Sequence, residues 1–127
     1  MPKNILLIDD DPDLVRAVSM ILESKSYNVS AAYGGVEGLE KAKKEKPDLI
    51  VLDVMMPDKD GYAVCRELKA NPELSAIPVL LLTAVVSHIP TTSFTQQMGL
   101  ETEADDYMDK PVEPPELVKR VEALLSK

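Results

Sequence analysis

Apolar and polar positions alternate in blocks along the chain, and the period changes from block to block. Asn4 to Ile8 is a short apolar run that stops at Asp9-Asp10-Asp11. Beyond it Leu14, Val18, Ile21 and Leu22 recur with helical spacing; Asp11 suits the cap of that helix and Pro12 its first turn. Asn28 to Tyr33 alternates weakly and predicts a strand, which Gly34 and Gly35 break. Val36, Leu39 and Ala42 open a second helix, Lys41, Lys43, Lys44 and Lys46 form a solvated basic face, and Pro47 ends it. Asp48 to Leu52 is continuously apolar after its first residue, as expected of a strand buried on both faces of a parallel sheet. The loop Met56-Pro57-Asp58-Lys59-Asp60-Gly61 leads to a third helix through about Ala70. Ile77 to Leu82 predicts a fourth buried strand ending at Thr83. Ala84 to Gly99 is less regular, with a helix expected after Pro90. Asp105 to Met108 predicts a fifth strand. Glu113 to Leu125 predicts a last helix, with Leu117, Val118, Val121, Leu124 and Leu125 on one stripe.

Five strand–helix units in series predict an α/β fold: parallel strands, right-handed crossovers and helices on the sheet faces. In an open sheet of this kind ligands bind outside the carboxyl ends of the strands. The polar residues at those ends are Asp9 to Asp11, Asp53, Thr83 and the Lys110-Pro111 pair.

Composition narrows the function classes. The 127 residues suit one domain, expected to span 1–127. There are 22 acidic and 14 basic residues and a formal net charge of −8, which opposes nonspecific binding to nucleic acid or an anionic membrane. A single cysteine excludes an internal disulfide and a cysteine metal cluster. No apolar run approaches the ~18 residues of a membrane span, and the N-terminus lacks a signal-peptide pattern, so the cytoplasm is the expected compartment.

Charge decides what the strand ends can do. Asp9, Asp10 and Asp53, if brought together, repel; either protons or a cation must join them. Oxygen ligands favour Mg²⁺ or Ca²⁺, and Mg²⁺ commonly combines one or two carboxylates with phosphate oxygens. Lys110 adds a positive charge and Thr83 a hydroxyl, so a tetrahedral dianion could sit beside the metal. A carboxylate there can attack phosphorus and form an acyl phosphate, with metal and lysine neutralising the phosphoryl oxygens. Each residue alone has a plainer reading: an aspartate run is a solvated turn, Thr83 a β-branched strand residue, Lys110 a surface lysine. Their joint occurrence at four strand ends favours the chemistry. An EF-hand starting at Asp9 fails, because it needs glycine and glutamate where Leu14 and Met20 stand. Cys65 is expected in the core, and His88, the only histidine, has no second histidine with which to share a metal.

The segments ILLIDDDPD, LIVLDVMMPDKDG, PVLLLTA and DDYMDKP, in this order, resemble the receiver domain of two-component response regulators. The resemblance covers essentially the whole chain. It implies a CheY-like, flavodoxin-like (βα)5 fold with a five-stranded parallel sheet in the order 2-1-3-4-5. It implies that Asp53 is the phosphoacceptor, that Asp9, Asp10, Asp53 and the backbone carbonyl of Met55 hold Mg²⁺, and that Thr83 and Ala84 bind the phosphoryl group. Lys110 would pair with Asp53 or the phosphate, its bond to Pro111 would be cis, and Tyr107 would change rotamer with Thr83. The implied partners are a sensor histidine kinase or histidine phosphotransfer domain and a downstream output domain or protein. Such a domain is a switch rather than an enzyme, although it promotes its own phosphorylation and dephosphorylation. It does not itself bind nucleic acid or membrane, and a homodimer is among the assemblies the resemblance allows.

Two features depart from the family pattern. Thr83 and Tyr107 are 24 residues apart, longer than is usual, and Leu100-Glu101-Thr102-Glu103 separates Gly99 from Ala104 where the family commonly reads Gly-Ala-Asp-Asp-Tyr. The positions that flank the phosphoryl group, Met55 and Val85, are both apolar and cannot orient an attacking water, so the acyl phosphate is expected to be long-lived. Three other functions compete. A phosphatase of the haloacid dehalogenase type would use Asp9 and Asp11, but Asp13 stands where its threonine belongs and there is no room for a cap domain. A receiver-like docking module without phosphorylation would have no use for Asp10, Asp53, Thr83 and Lys110. A flavodoxin would need a hydroxyl-rich loop after the first strand, and aromatics are only 4% of the chain.

Overall fold

A computed structural model of the chain describes residues 2–83, 104–110 and 112–126. The helix expected after Pro90, together with Ala84, Val85, His88 and the Lys110–Pro111 bond, lies outside the described residues. Five strands, β1 (Asn4–Ile8), β2 (Asn28–Ala32), β3 (Leu49–Asp53), β4 (Val79–Thr83) and β5 (Asp106–Asp109), form one parallel sheet in the order β2-β1-β3-β4-β5. Four helices are described: α1 (Pro12–Glu23), α2 (Gly35–Glu45), α3 (Gly61–Ala70) and α4 (Pro114–Leu125). The fold and strand order are those expected. No helix among the described residues is long and apolar enough to cross a membrane.

The unbroken apolar runs follow from burial on both faces. Leu6, Ile8, Ile50, Leu52, Val79 and Leu81 face one side, where they pack with Leu39 and Ala42 of α2 and Val64, Cys65 and Leu68 of α3. Their alternating neighbours Ile5, Leu7, Leu49, Val51, Leu80 and Leu82 face the other, against Val15, Val18 and Leu22 of α1 and Leu117, Val121 and Leu124 of α4. At the helix ends, Asp11 caps α1 as expected, accepting from the amides of Asp13 (3.0 Å) and Leu14 (3.4 Å), with Pro12 in the first turn. Asp60 caps α3 through the Ala63 amide at 2.9 Å.

Differences from the sequence reading sit at boundaries. β3 starts after Asp48, whose carboxylate accepts from the Asn4 amide at 2.7 Å. β4 starts after Ile77 and Pro78; proline has no amide to give the ladder. β5 starts after Asp105, whose carboxylate takes the Val79 amide (2.8 Å) and the Lys69 ammonium (2.9 Å). Lys41 does not join the solvated basic face. It is half-buried, and its ammonium donates to the Ala31 carbonyl and pairs with Glu37 at 3.5 Å.

Candidate functional site

Among the described residues the buried polar side chains are Asp9, Asp53 and Thr83, at 0%, 2% and 1% exposure. All three stand at the carboxyl ends of strands, β1, β3 and β4. The register explains their meeting. Ile8 pairs with Leu52, so the next residues, Asp9 and Asp53, leave the sheet level with each other. They also share the face on which Leu7 and Val51 are buried. Asp10 is exposed beside them, and one carboxylate oxygen from each of Asp9, Asp10 and Asp53 lies within 4.8 Å of the others. Lys110 comes from the end of β5, where its amide donates to the Thr83 carbonyl at 2.8 Å. Its ammonium sits 2.8 Å from Asp53 Oδ1 and 3.4 Å from Asp9 Oδ2.

The balance of charge in this pocket is unfavourable. Two buried carboxylates face one ammonium, with the charge of Asp10 at the rim. Burial raises the Asp9 carboxyl from 3.8 to about 6, and the charge of Asp53 pushes it in the same direction. The Asp11 amide, donating to Asp9 Oδ1 at 2.9 Å, and Lys110 oppose the rise without cancelling it. For Lys110, burial favours the neutral amine. Contact with Asp53, and then with Asp9, outweighs burial and keeps the ammonium charged. Among the described residues, Asp53 Oδ1 has this ion pair but no aligned hydrogen-bond donor, and the buried Thr83 hydroxyl has no hydrogen-bond partner. A buried polar atom left unpaired costs about 1–3 kcal/mol, so its persistence needs a reason. The donor set fits Mg²⁺: carboxylate oxygens alone, clustered, partly open to solvent through Asp10 and short of positive charge.

Met55, in the loop after β3, exposes 60% of its surface. Tyr107 is half-buried in β5 opposite Leu81, on the sheet face that Thr83 also shares; its carbonyl accepts from Arg120 at 2.8 Å. Asp11, which a dehalogenase-type phosphatase would use beside Asp9, is exposed and caps α1 through its Oδ1.

A family model described as "Response regulator receiver domain" matches residues 5–122. The chain belongs to the response regulator receiver family. This receiver is 45% identical over 125 residues to the alkaline phosphatase synthesis transcriptional regulatory protein PhoP of Bacillus subtilis, covering 98% of this chain and 49% of that one. It therefore spans about half the length of that curated relative. Among solved structures it is similar to the signal receiver domain of a signal transduction histidine kinase from Syntrophus aciditrophicus. That match has a TM-score of 0.87 and 37% identity, and covers 98% of this chain and 90% of the other. It is also similar, at 25% identity and a TM-score of 0.87 over 100% of both chains, to the receiver domain of the sensor histidine kinase PA1611 from Pseudomonas aeruginosa. That structure has a magnesium ion coordinated in its active-site cleft.

Two residues that shape the loop after Asp53 escaped the sequence reading. Gly61 packs its α-carbon against the backbone that carries the acidic site: a Cβ there would lie 2.3 Å from the Asp53 carbonyl oxygen and 2.7 Å from the Val54 α-carbon. Its amide donates to the Val54 carbonyl at 2.8 Å. The position of Gly61 directly after the helix cap Asp60 was the available signal. Asp58 reaches across to α2, and its only signal was indirect: Gly34 gives that helix no capping side chain.

Proposed function

We propose that this chain is a phosphoacceptor switch in which Asp53 takes a phosphoryl group from a phosphohistidine of a sensor kinase or phosphotransfer domain. What carries the reading is the burial of the Asp9 and Asp53 carboxylates around one ammonium, next to a strand end whose buried hydroxyl has no partner among the described residues. A carboxylate oxygen of Asp53 attacks phosphorus, the P–N bond of the phosphohistidine breaks, and the imidazole leaves with its electron pair and takes up a proton. Lys110 already lies against Asp53 and follows the charge onto the phosphoryl oxygens. Asp9, Asp10, Asp53 and the Met55 carbonyl are the residues that would hold Mg²⁺. When bound, the ion neutralises the attacking and transferring oxygens. The Thr83 hydroxyl then gains the acceptor it lacks. Thr83 and Tyr107 lie on the same sheet face in adjacent strands, so a shift of Thr83 toward the phosphoryl group vacates space into which Tyr107 repacks. Ala84 lies outside the described residues; its part in phosphoryl binding rests on the family resemblance.

The output is a change in binding. The matched relative is named as a transcriptional regulatory protein and is about twice as long, which supports a regulator in which this part receives the signal and another acts on it. The test is incubation of wild type and Asp53→Asn with phosphoramidate or acetyl phosphate and Mg²⁺, followed by intact mass. Wild type gains one phosphoryl group and the variant none. A wild-type protein that stays unmodified refutes the reading.

A further inference from the structure

The loop between Asp53 and α3 is fastened to a helix that contributes nothing to the acidic cluster. Helix α2 begins at Gly35, and its N-cap, Gly34, offers no side chain, so its first amides must find acceptors elsewhere. Asp58 provides both: Oδ1 accepts from Gly35 at 3.0 Å and Oδ2 from Val36 at 3.1 Å. These two bonds hold its carboxyl below the ordinary carboxylate range. The approach is close enough to need the glycines. A Cβ on Gly34 would lie 3.0 Å from Asp58 Oδ2, and one on Gly35 would lie 2.8 Å from the Lys59 Cβ and 2.9 Å from its carbonyl oxygen. At its far end the same loop is closed by Gly61, seated on the Asp53 backbone and bonded to the Val54 carbonyl. Residues 54–60 are thus held at both ends by backbone contact and in the middle by one carboxylate.

We propose that Asp58 is a positioning residue for the metal site: by tying the 54–60 loop to the N-terminus of α2 it fixes the backbone at Met55, the carbonyl assigned above to Mg²⁺. This rests on the site reading of the previous section and adds to it a residue that touches neither metal nor phosphoryl group. A helix cap normally serves its own helix from the residue just before it. Here the capping carboxylate comes from 22 and 23 residues away, so it orders two segments at once. Groups that orient metal ligands typically change affinity 10–100-fold when removed.

The two roles of Asp58 can be separated. Asp58→Ala removes both. Adding Gly34→Ser returns a cap to α2, since Gly34 has extended backbone that serine adopts freely and the carboxylate that would crowd its Cβ is gone. The readouts are melting temperature without divalent ions and the Mg²⁺ dissociation constant by calorimetry. Asp58→Ala is expected to lower the melting temperature and weaken Mg²⁺ about tenfold. Asp58→Ala with Gly34→Ser is expected to regain the melting temperature and keep the weakened Mg²⁺ binding. Recovery of both by the double variant overturns the proposal, because Asp58 is then only a helix cap. Unchanged Mg²⁺ affinity in folded Asp58→Ala overturns it too, and leaves the site reading standing. Wild type that binds no Mg²⁺ overturns both.

Discussion

The energetic cost of the acidic pocket can be read from pH. Asp9 is fully buried and its carboxyl is raised from 3.8 to about 6. The sign follows from proton counting. Between these two values the folded protein keeps the Asp9 proton while the unfolded chain has lost it, so raising the pH favours unfolding. Stability from this group is full below pH 4 and falls away as pH rises through about 6. The rise is worth at most about 3 kcal/mol, a large share of a small domain's ~5–15 kcal/mol. The perturbation is Asp9→Asn, which keeps an oxygen for the Asp11 amide and removes the charge; Lys110 keeps Asp53. Urea unfolding of both proteins with a chelator present, at steps from pH 4 to 7.5, isolates the effect, because all other titrating groups appear in both. Asp9→Asn is expected to match wild type near pH 4 and to become more stable by about 1–3 kcal/mol at pH 7. Millimolar Mg²⁺ then narrows or reverses the gap, since the cation stabilises the protein that binds it. A gap that stays constant with pH, or a variant less stable than wild type at pH 7 without metal, refutes the reasoning.

Lys46 closes α2 in the left-handed region (φ 49°, ψ 65°), so Lys46→Gly is expected to stabilise by about 1 kcal/mol in urea unfolding. The lost 3.0 Å pair with Glu73 is exposed on both sides and offsets little of that gain. Met55 is exposed two residues past the proposed acceptor and offers no hydrogen bond to water, so Met55→Asn is expected to hasten decay of the phosphorylated protein about tenfold, about 1.4 kcal/mol of barrier. Loss of label is followed by mass with Mg²⁺ present; equal lifetimes for variant and wild type refute it.

What the sequence reveals depends on how local the cause is. The cores of β1, β3 and β4 are legible because burial on two faces writes itself as unbroken apolar runs. Asp11 is legible as a cap because a helix cap and its helix are adjacent. Boundaries are missed where a residue that looks like part of a strand is used by a distant partner: Asp48 by Asn4, Asp105 by Val79 and Lys69. Lys41 looks like one more surface lysine because nothing nearby announces the Ala31 carbonyl it reaches. In the site, Asp9, Asp10, Asp53, Thr83 and Lys110 share a signal, since each is a polar residue that ends a strand or lies just past one. Asp58 has no such place. Its partners are amides of another helix, and only the lack of a capping side chain at Gly34 hints that some other residue must serve them.

A sheet of this order could close with a neutral residue where Asp9 stands, and the raised Asp9 carboxyl marks what its charge costs. Proteins keep such locally unfavourable choices at sites that act. Charge counting in the proposed mechanism says what the choice achieves. Asp9, Asp10, Asp53 and Lys110 together leave two negative charges in excess. A divalent cation cancels them. Phosphorylation replaces the single charge of Asp53 by about two, so one negative charge returns, now spread over oxygens that project beyond the carboxylate. With the metal and Lys110 already engaged, that new excess falls to hydroxyl and amide donors. Among the described residues, Thr83 is a buried donor with no hydrogen bond made. In that mechanism the hydroxyl, costly while unsatisfied, would be satisfied once the phosphoryl group is there. In the proposed mechanism that difference would bias the strand end in opposite directions before and after transfer.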